Sequence, residues 1–554
     1  LFILLQNPLA SDPTTYGSQI ILKLGRILST TLPTQQRIPV RRALQRLLGQ
    51  LPAEAFAARC VRPVQKYLTH LVTTGRLGAG RLEAMMAGVL IDVLRQANED
   101  AGGKISASEF YNKALSKALD LGAEYLAWVK HREISPNALV SFCQMPFLLD
   151  PTSKSRILNG ESMLQQQQHL SAAAIQAFAI GQNPAEVGYL RLSIRRTHVV
   201  EDALTALVLH SQDLKKPLKV TFVSGGIPEP AQDEGGVRKE FFQLLTRDLF
   251  HPDYGMFTYD ESTRLYWFNI AGAFEELEEM MEADGGENEY TMVGALMGLA
   301  IYNAVLLDVH FPVVLYKKLL GQKPDFSDLK VAFPELGKGL QALLEYEPAS
   351  EVEDVFCRSF DAEFEVFGEI KHRELVPGGK NIPVTGENRK YYVEAYTRWI
   401  LEDSISRQFK AFAKGFHSVA GGPALTLFTP VELELLVCGL PHLDFEGLQK
   451  AAKYEGGYST ESTAVKWFWE VVRGAFTLEQ KRQFLMFTTG SDRAPVGGLS
   501  TLSIVIQRAG PDTDRLPTSH TCFDTLLLPE YSSREKLKER LLTAITNATG
   551  FGLQ

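Results

Sequence analysis

Several things are scarce or missing in this sequence, and each absence removes a class of function. Cysteine is scarce: Cys60, Cys143, Cys357, Cys438 and Cys522 are scattered with no close pair. That argues against a disulfide framework and against a cysteine-based zinc site. Long apolar runs are missing. The best candidate, Gly294 to Leu307, is interrupted by Asn303 and closed by Asp308, short of the ~20 residues a spanning helix needs. It reads as a buried helix, and no membrane partner is expected. A basic excess is missing too. The formal charge is −8, and eight acidic residues with no basic one lie between Glu275 and Glu289, so the remainder is formally neutral. Without a basic stripe, nucleic acid is not an expected partner. The acidic stretch 275–289 reads as a solvated loop or helix face. There is no Gly-x-Ser-x-Gly elbow, no phosphate-binding Gly-x-x-x-x-Gly-Lys-Ser/Thr loop and no His-Glu-x-x-His helix. No cofactor and no metal are expected. The chain opens at Leu1 without methionine, which reads as a piece of a longer protein, and a cytosolic or nuclear setting fits its composition.

What is present fills two to four domains at 554 residues. The first part, 1–190, reads as helical. Leu44, Leu47, Leu48 and Leu51 share one helical face, and Leu82, Met85, Met86, Val89, Val93 and Leu94 repeat the pattern more strongly. Such stripes mean core packing first, and a recognition scaffold for substrates or partners second. From about Leu192 the texture becomes mixed. Leu218 to Val223 alternates like a strand and Arg264 to Phe268 is rich in strand-forming aromatics, while Arg238 to Leu249 and Tyr290 to Leu307 read as helices. Val431 to Cys438 reads as a helix entered after Thr429-Pro430 and stopped at Gly439-Leu440-Pro441. Beyond lies a smaller α/β block. Leu502, Ile504 and Ile506 alternate along a strand. A last helix opens at Ser532-Ser533-Arg534-Glu535, a capping-box pattern, and carries Leu537, Leu541, Leu542 and Ile545 inward.

One cysteine has a distinctive setting. Cys522 follows a polar turn, Pro517 to His520, and precedes an apolar strand, Leu526 to Leu528. That places its sulfur on a loop at a strand end, where reactive groups concentrate. A cysteine is nucleophilic as thiolate, and neighbouring hydroxyl, amide and imidazole donors favour that form. Proximity of His520 does not by itself make an acid–base pair. Taken alone, the residues leave two readings open: a nucleophile, or a small buried hydrophobe. A chain with no nucleotide or metal site can still exchange a thioester, because that bond arrives already activated.

The segments around Cys522 resemble the HECT family of ubiquitin ligases. The family loop Leu-Pro-x-x-His-Thr-Cys-Phe stands here as Leu516 to Phe523. Phe487 to Pro495 (FTTGSDRAP), Asp233 to Phe242 (DEGGVRKEFF) and Asp308 to Pro312 (DVHFP) are similar to further family motifs, in the family's order. Within the family, the ligase mutated in Angelman syndrome is expected as the nearest relative. The resemblance implies an α+β chain: a helical region over 1–190, a large, mostly helical lobe over 191–438, a hinge at Gly439, Leu440 and Pro441, and a small α/β lobe over 442–554. It implies that Cys522 accepts ubiquitin from a ubiquitin-loaded conjugating enzyme and passes it to a lysine of a protein substrate. His520, Thr521 and Phe551 would support the loop and the delivery pose. Leu336, Leu340, Leu343, Tyr346, Phe356, Tyr392 and Tyr396 would form the conjugating-enzyme groove. Two other readings compete: a cysteine hydrolase built on Cys522 and His520, and a silent scaffold that only binds partners.

Overall fold

The computed structural model describes residues 16–28, 34–134, 138–181, 183, 187–229, 236–270, 285–366 and 369–548. The chain forms two compact units, one of Leu1–Glu161 with Pro423–Phe428 and one of Ser162–Gly422 with Thr429–Gln554.

In the first unit the Arg81–Asp100 helix is the centre. Ala84 to Ile91 are all buried, as are Val93, Leu94 and Ala97, because the Tyr16–Arg26, Thr34–Gly49 and Arg62–Thr73 helices all pack on it. Small residues permit the close approach. A Cβ added at Gly25 would lie 2.3 Å from the Met86 carbonyl oxygen, and one at Gly88 would lie 2.2 Å from Met145 Sδ. The expected stripes hold in part. Leu44, Leu48, Met85, Met86, Val89, Val93 and Leu94 are buried, whereas Leu47 and Leu82 are exposed. Leu82 sits in the first turn, before the surrounding helices close over the axis. One ion pair tightens the unit: Arg81 reaches Glu124 through two bonds of 2.7 and 3.0 Å, and Glu124 accepts the Phe142 amide at 2.8 Å.

In the second unit, β1 (Leu190–Arg195) and β2 (Leu218–Ser224) pair in parallel across the Val199–Leu209 helix, and β3 (Ile227–Pro228) adds antiparallel. Leu190, Leu192 and Ile194 of β1 and Leu218, Val220 and Phe222 of β2 point inward, the period of two expected of a strand buried on one face. The Gly236–Leu249 helix packs on β2. A hairpin of β4 (Phe257–Asp260) and β5 (Leu265–Phe268) follows. Phe257 and Phe268 join Phe250, Tyr290, Phe311 and Phe412 in an aromatic core with centroids 4.8–6.5 Å apart, a range in which edge and tilted pairs are favourable. Phe311 is the aromatic of the Asp308–Pro312 motif, so that motif is largely a packing element.

The Gly285–Tyr302 helix crosses the Ser406–Ala420 helix at backbone contact, with Gly294, Gly298 and Gly415 at the crossing. It ends at Tyr302, not at Leu307 as the apolar run suggests. The Val305 amide bonds the Ala300 carbonyl at 2.8 Å and the Ala304 amide bonds Ile301 at 3.1 Å, with Ala304 at φ 54°. This is a Schellman stop, which satisfies the terminal carbonyls despite the alanine. Among the described residues no helix is long and apolar enough to cross a membrane. Next come the Pro334–Glu345 and Arg389–Leu401 helices, which pack together, with antiparallel β6 (Asp361–Val366) and β7 (Glu369–Glu374) between them in sequence.

After the Pro430–Cys438 helix the chain enters a sheet with its own core. Its strands are β8 (Lys453–Glu455), β9 (Val505–Arg508), β10 (Thr518–His520) and β11 (Thr525–Leu528), in the order β10-β11-β9-β8. Leu448, Phe468, Phe484, Ile504, Ile506, Leu526, Leu528, Leu537, Leu541 and Ile545 fill that core. Leu502 and Leu542, read as inward, are only partly buried against it. The Arg534–Ala548 helix closes it, and Ser533 Oγ caps the helix by accepting the Lys536 amide at 3.1 Å. The cap lies one residue later than the sequence pattern places it, so Glu535 does not fall at the position that would close a capping box.

Candidate active site

Cys522 lies at the tip of the β10–β11 hairpin. His520 pairs with Thr525, and Thr521–Phe523 make a 3₁₀ turn between them. Asp524 completes the turn at φ 49°, a conformation that aspartate and asparagine tolerate better than most residues. The sequence reads Pro517 to His520 as a polar turn; in the structure Thr518–His520 is strand, because β11 offers it an antiparallel ladder. β11 in turn pairs in parallel with β9. The tip is therefore held from three directions. The Ser519 hydroxyl donates to the Phe487 carbonyl, the Val505 amide donates to the Asp524 carbonyl at 2.9 Å, and Thr525 Oγ1 donates to the Phe523 carbonyl at 3.0 Å. His520 is exposed and Thr521 half-buried. Phe551 and residues 275–284 of the acidic stretch lie outside the described residues, as do Asp233, Glu234 and Gly235 of the motif before the Gly236–Leu249 helix.

Three of the other cysteines are chemically muted. Burial pushes the thiols of Cys60 and Cys143 up to about 11 and that of Cys438 up to about 12. Cys438 Sγ also donates to the Val309 carbonyl at 3.0 Å. Cys357 is exposed and sits at a helix end with φ 47°, its Sγ on the Asp354 carbonyl at 3.1 Å. Among the described residues no group of His, Cys, Asp and Glu is placed to hold a metal ion.

A cleft of about 650 Å³ opens beside the Cys522 turn. Phe242, Phe250, Tyr266 and Leu306 line one side, with Met486, Phe487, Ser519, Thr521 and Ile545 on the other. Gly439, Leu440 and Pro441, the residues expected to form the hinge, do not line this cleft. Gly439 follows the Pro430–Cys438 helix at φ 80° and ψ 175°. Leu440 exchanges both backbone bonds with Ala494, at 2.6 and 3.0 Å, and Arg493 Nη1 bonds the Gly439 carbonyl at 3.3 Å. The Phe487–Pro495 motif thus forms the turn that grips the linker. Pro441 is exposed.

The seven groove residues gather in one region but play two parts. Leu340 and Leu343 on the Pro334–Glu345 helix and Tyr392 and Tyr396 on the Arg389–Leu401 helix are buried, the tyrosines at 4% and 9% exposure. Burial pushes the pKa of both phenols above the ordinary value. Leu336, Tyr346 and Phe356 are half-buried, and Tyr346 and Phe356 meet edge to face at 5.5 Å. Tyr392 packs on Phe360 and on Tyr396, which packs on Trp399. Phe360 and Trp399 complete this layer and were not singled out from the sequence; an aromatic three residues after Tyr396 was the available signal. Arg389 Nη1 holds the Tyr346 carbonyl at 2.6 Å. Tyr391 stands exposed next to the layer.

A paired sheet and helix lobe with a cysteine at a hairpin tip, joined by a gripped linker to a larger helical lobe, is the architecture of a thioester-carrying transferase. The model of the HECT domain (ubiquitin-transferase) matches residues 243–554, and the chain belongs to that family, whose members pass ubiquitin through a cysteine thioester. It is similar to the probable E3 ubiquitin-protein ligase HECTD2 of mouse, with 41% identity covering 81% of this chain and 57% of that protein. With human HECTD2 the identity is 37%, covering 100% of this chain and 70% of the relative. With human HERC4, also a probable E3 ubiquitin-protein ligase, it is 35%, covering 99% and 51%. The chain thus spans between about half and 70% of the length of these relatives. The expectation of nearest kinship to the Angelman-syndrome ligase is overturned by this likeness to HECTD2 and HERC proteins. The physical reason is visible in the motifs that prompted it: Phe311 is core, Phe487 to Pro495 grip the linker, and Leu516 to Phe523 shape the hairpin. Such features serve the whole family and do not separate its members.

Proposed function

We propose that this chain is a ubiquitin-protein ligase in which Cys522 is the acceptor. The observation that carries the reading is the position of Cys522 at the tip of a braced hairpin beside an open cleft, while burial suppresses the thiols of Cys60, Cys143 and Cys438. In the first step the Cys522 thiolate attacks the thioester carbonyl carbon of ubiquitin on a conjugating enzyme. A new C–S bond forms at Cys522, and the conjugating enzyme's cysteine leaves as thiolate. In the second step a neutral substrate lysine amine attacks the same carbonyl. The isopeptide C–N bond forms, Cys522 leaves as thiolate, and the amine's extra proton passes to solvent. Neither step needs a cofactor, because the thioester is already activated and the protein's task is positioning.

The conjugating enzyme docks on the surface formed by Leu336, Tyr346 and Phe356, with buried Leu340, Leu343, Tyr392 and Tyr396 as its rigid backing. A half-buried aromatic pair over a fixed apolar layer suits an anchor residue from a partner. The helices of 1–190 contribute substrate or partner recognition, Phe551 supports delivery, and Gly439 to Pro441 allow the small lobe to travel between the two steps.

Incubation with ubiquitin, activating enzyme and conjugating enzyme should give a ubiquitin adduct that thiol reductant removes, and Cys522→Ala should abolish it. A reductant-sensitive adduct that persists in Cys522→Ala refutes the assignment. Phe356→Ala should slow loading, with truncation of one wall of an anchor site costing about 2 kcal/mol of binding. Unchanged affinity for the conjugating enzyme would move the docking surface elsewhere.

A further inference from the structure

The Gly236–Leu249 helix of the large lobe touches the small lobe at two points one helical turn apart. Lys239 Nζ lies 2.8 Å from both carboxylate oxygens of Asp524. Gln243 Nε2 donates to the Gly490 carbonyl at 3.1 Å, and a Cβ at Gly490 would overlap the Gln243 amide at 1.7 Å. The two small-lobe partners are far apart in sequence, one in the Cys522 turn and the other at the end of the Leu478–Thr489 helix. Together with the Leu440–Ala494 bridge they make three separate attachment points. One contact would fix a distance; three fix an orientation.

The ion pair is placed to control the nucleophile. Asp524 is two residues from Cys522 in a short turn, its backbone held by Val505 and its φ confined to 49°. Moving Asp524 moves the Cys522 backbone with it. Both side chains are largely shielded, Lys239 at 32% and Asp524 at 19% exposure. A charge pair in that setting is screened less than a surface pair and is costly to leave half-made. In this pose the turn faces the open cleft, whose lining includes Asp308, more than half exposed. The docking surface, by contrast, stands on other elements, the Pro334–Glu345 helix and its neighbours.

We propose that Lys239 and Asp524 are positioning residues that hold the loaded small lobe in the pose from which ubiquitin is discharged to lysine, the pair opening while Cys522 is loaded. This rests on the reading of Cys522 as acceptor. The full chain is loaded, the conjugating enzyme is quenched, and decay of the adduct with free lysine is followed in single turnover. Lys239→Met keeps the apolar stem, and Asp524→Gly keeps the left-handed backbone. Both variants should load at the wild-type rate and discharge about tenfold more slowly, equal to ~1.4 kcal/mol. The double variant should be no slower than either single one, and Lys239→Arg should discharge within about threefold of wild type. Wild-type discharge in the single variants would overturn the proposal, as would fully additive losses in the double variant. Faster loading with normal discharge would also overturn it, since the pair would then be a resting lock. Loss of loading in Lys239→Met overturns it too, placing the pair in the earlier step. Failure of the Cys522 reading is separately visible, as wild-type protein that forms no adduct or as an adduct that survives Cys522→Ala.

Discussion

Replacing Gly439 with alanine tests whether the linker is gripped as the structure shows. At φ 80° and ψ 175° the backbone lies in a region open essentially to glycine alone, and any other residue there costs ~1–3 kcal/mol. The new Cβ would also lie 2.6 Å from the Ala494 carbonyl oxygen and 3.0 Å from Leu306 Cδ1. That oxygen accepts the Leu440 amide, so moving it away weakens a bond with a net value of ~1 kcal/mol. The two contributions together come to ~2–4 kcal/mol. Unfolding either lobe would cost more, because the aromatic core around Phe268 and the small-lobe core around Phe468 do not involve Gly439. The cheapest relief is to release the Leu440–Ala494 bridge. Gly439→Ala should therefore leave both lobes folded and expose the linker. Under conditions where opening is fast relative to cleavage, proteolysis near residues 439–441 should accelerate by about 30- to 1,000-fold, with discharge slowed because the small lobe is no longer oriented. Time-resolved limited proteolysis with mass identification of the cut site, alongside thermal melting, measures both. Wild-type cleavage kinetics and an unchanged melt would refute the reasoning, since a strained, clashing linker cannot be silent.

Two further predictions concern stability. Gly294→Ala would place a Cβ 1.9 Å from the Phe412 carbonyl oxygen, where overpacking by ~3 kcal/mol or more exceeds the ~1 kcal/mol of helix propensity gained; Gly339→Ala, with nothing within 4 Å, should stabilise by up to ~1 kcal/mol. Urea denaturation showing equal shifts for the two would refute the close helix crossing. For Asp325, burial would raise the carboxyl, but hydrogen bonds from Ser327 and Lys317 outweigh it and hold the group at about 2 against an ordinary 3.8. A depressed folded-state value means that the stabilisation is fully present above about pH 4 and is lost as pH falls through about 2. Asp325→Asn keeps the helix cap without the charge, so its melting deficit against wild type, no more than ~1 kcal/mol for this exposed pair, should close between pH 4 and 2. A deficit that persists at pH 2 would contradict the ion-pair origin.

Local pattern alone carried much of this protein. Alternation placed Leu218 to Val223 in a strand, Thr429-Pro430 marked the start of the helix that ends at Cys438, and the residues flanking Cys522 set it on a turn, because hydrophobic period and capping chemistry act over a few neighbours. The family was legible for the same reason: its motifs are contiguous stretches whose glycines, prolines and polar residues impose local geometry. Tertiary structure decided the rest. Thr518 to His520 became strand only because β11 lies alongside, and β11 is ordered by β9, about twenty residues earlier. Leu47 and Leu82 fit their helical stripes but stay exposed, because the neighbouring helices cover other parts of each face. Tyr392 and Tyr396 are placed in the groove only by the family resemblance, and in the structure they are buried side chains packed on Phe360 and Trp399. Lys239 and Asp524 give no local hint of one another. A lysine in an amphipathic helix and an aspartate after a turn are each ordinary, and only the fold brings them to 2.8 Å across 285 positions.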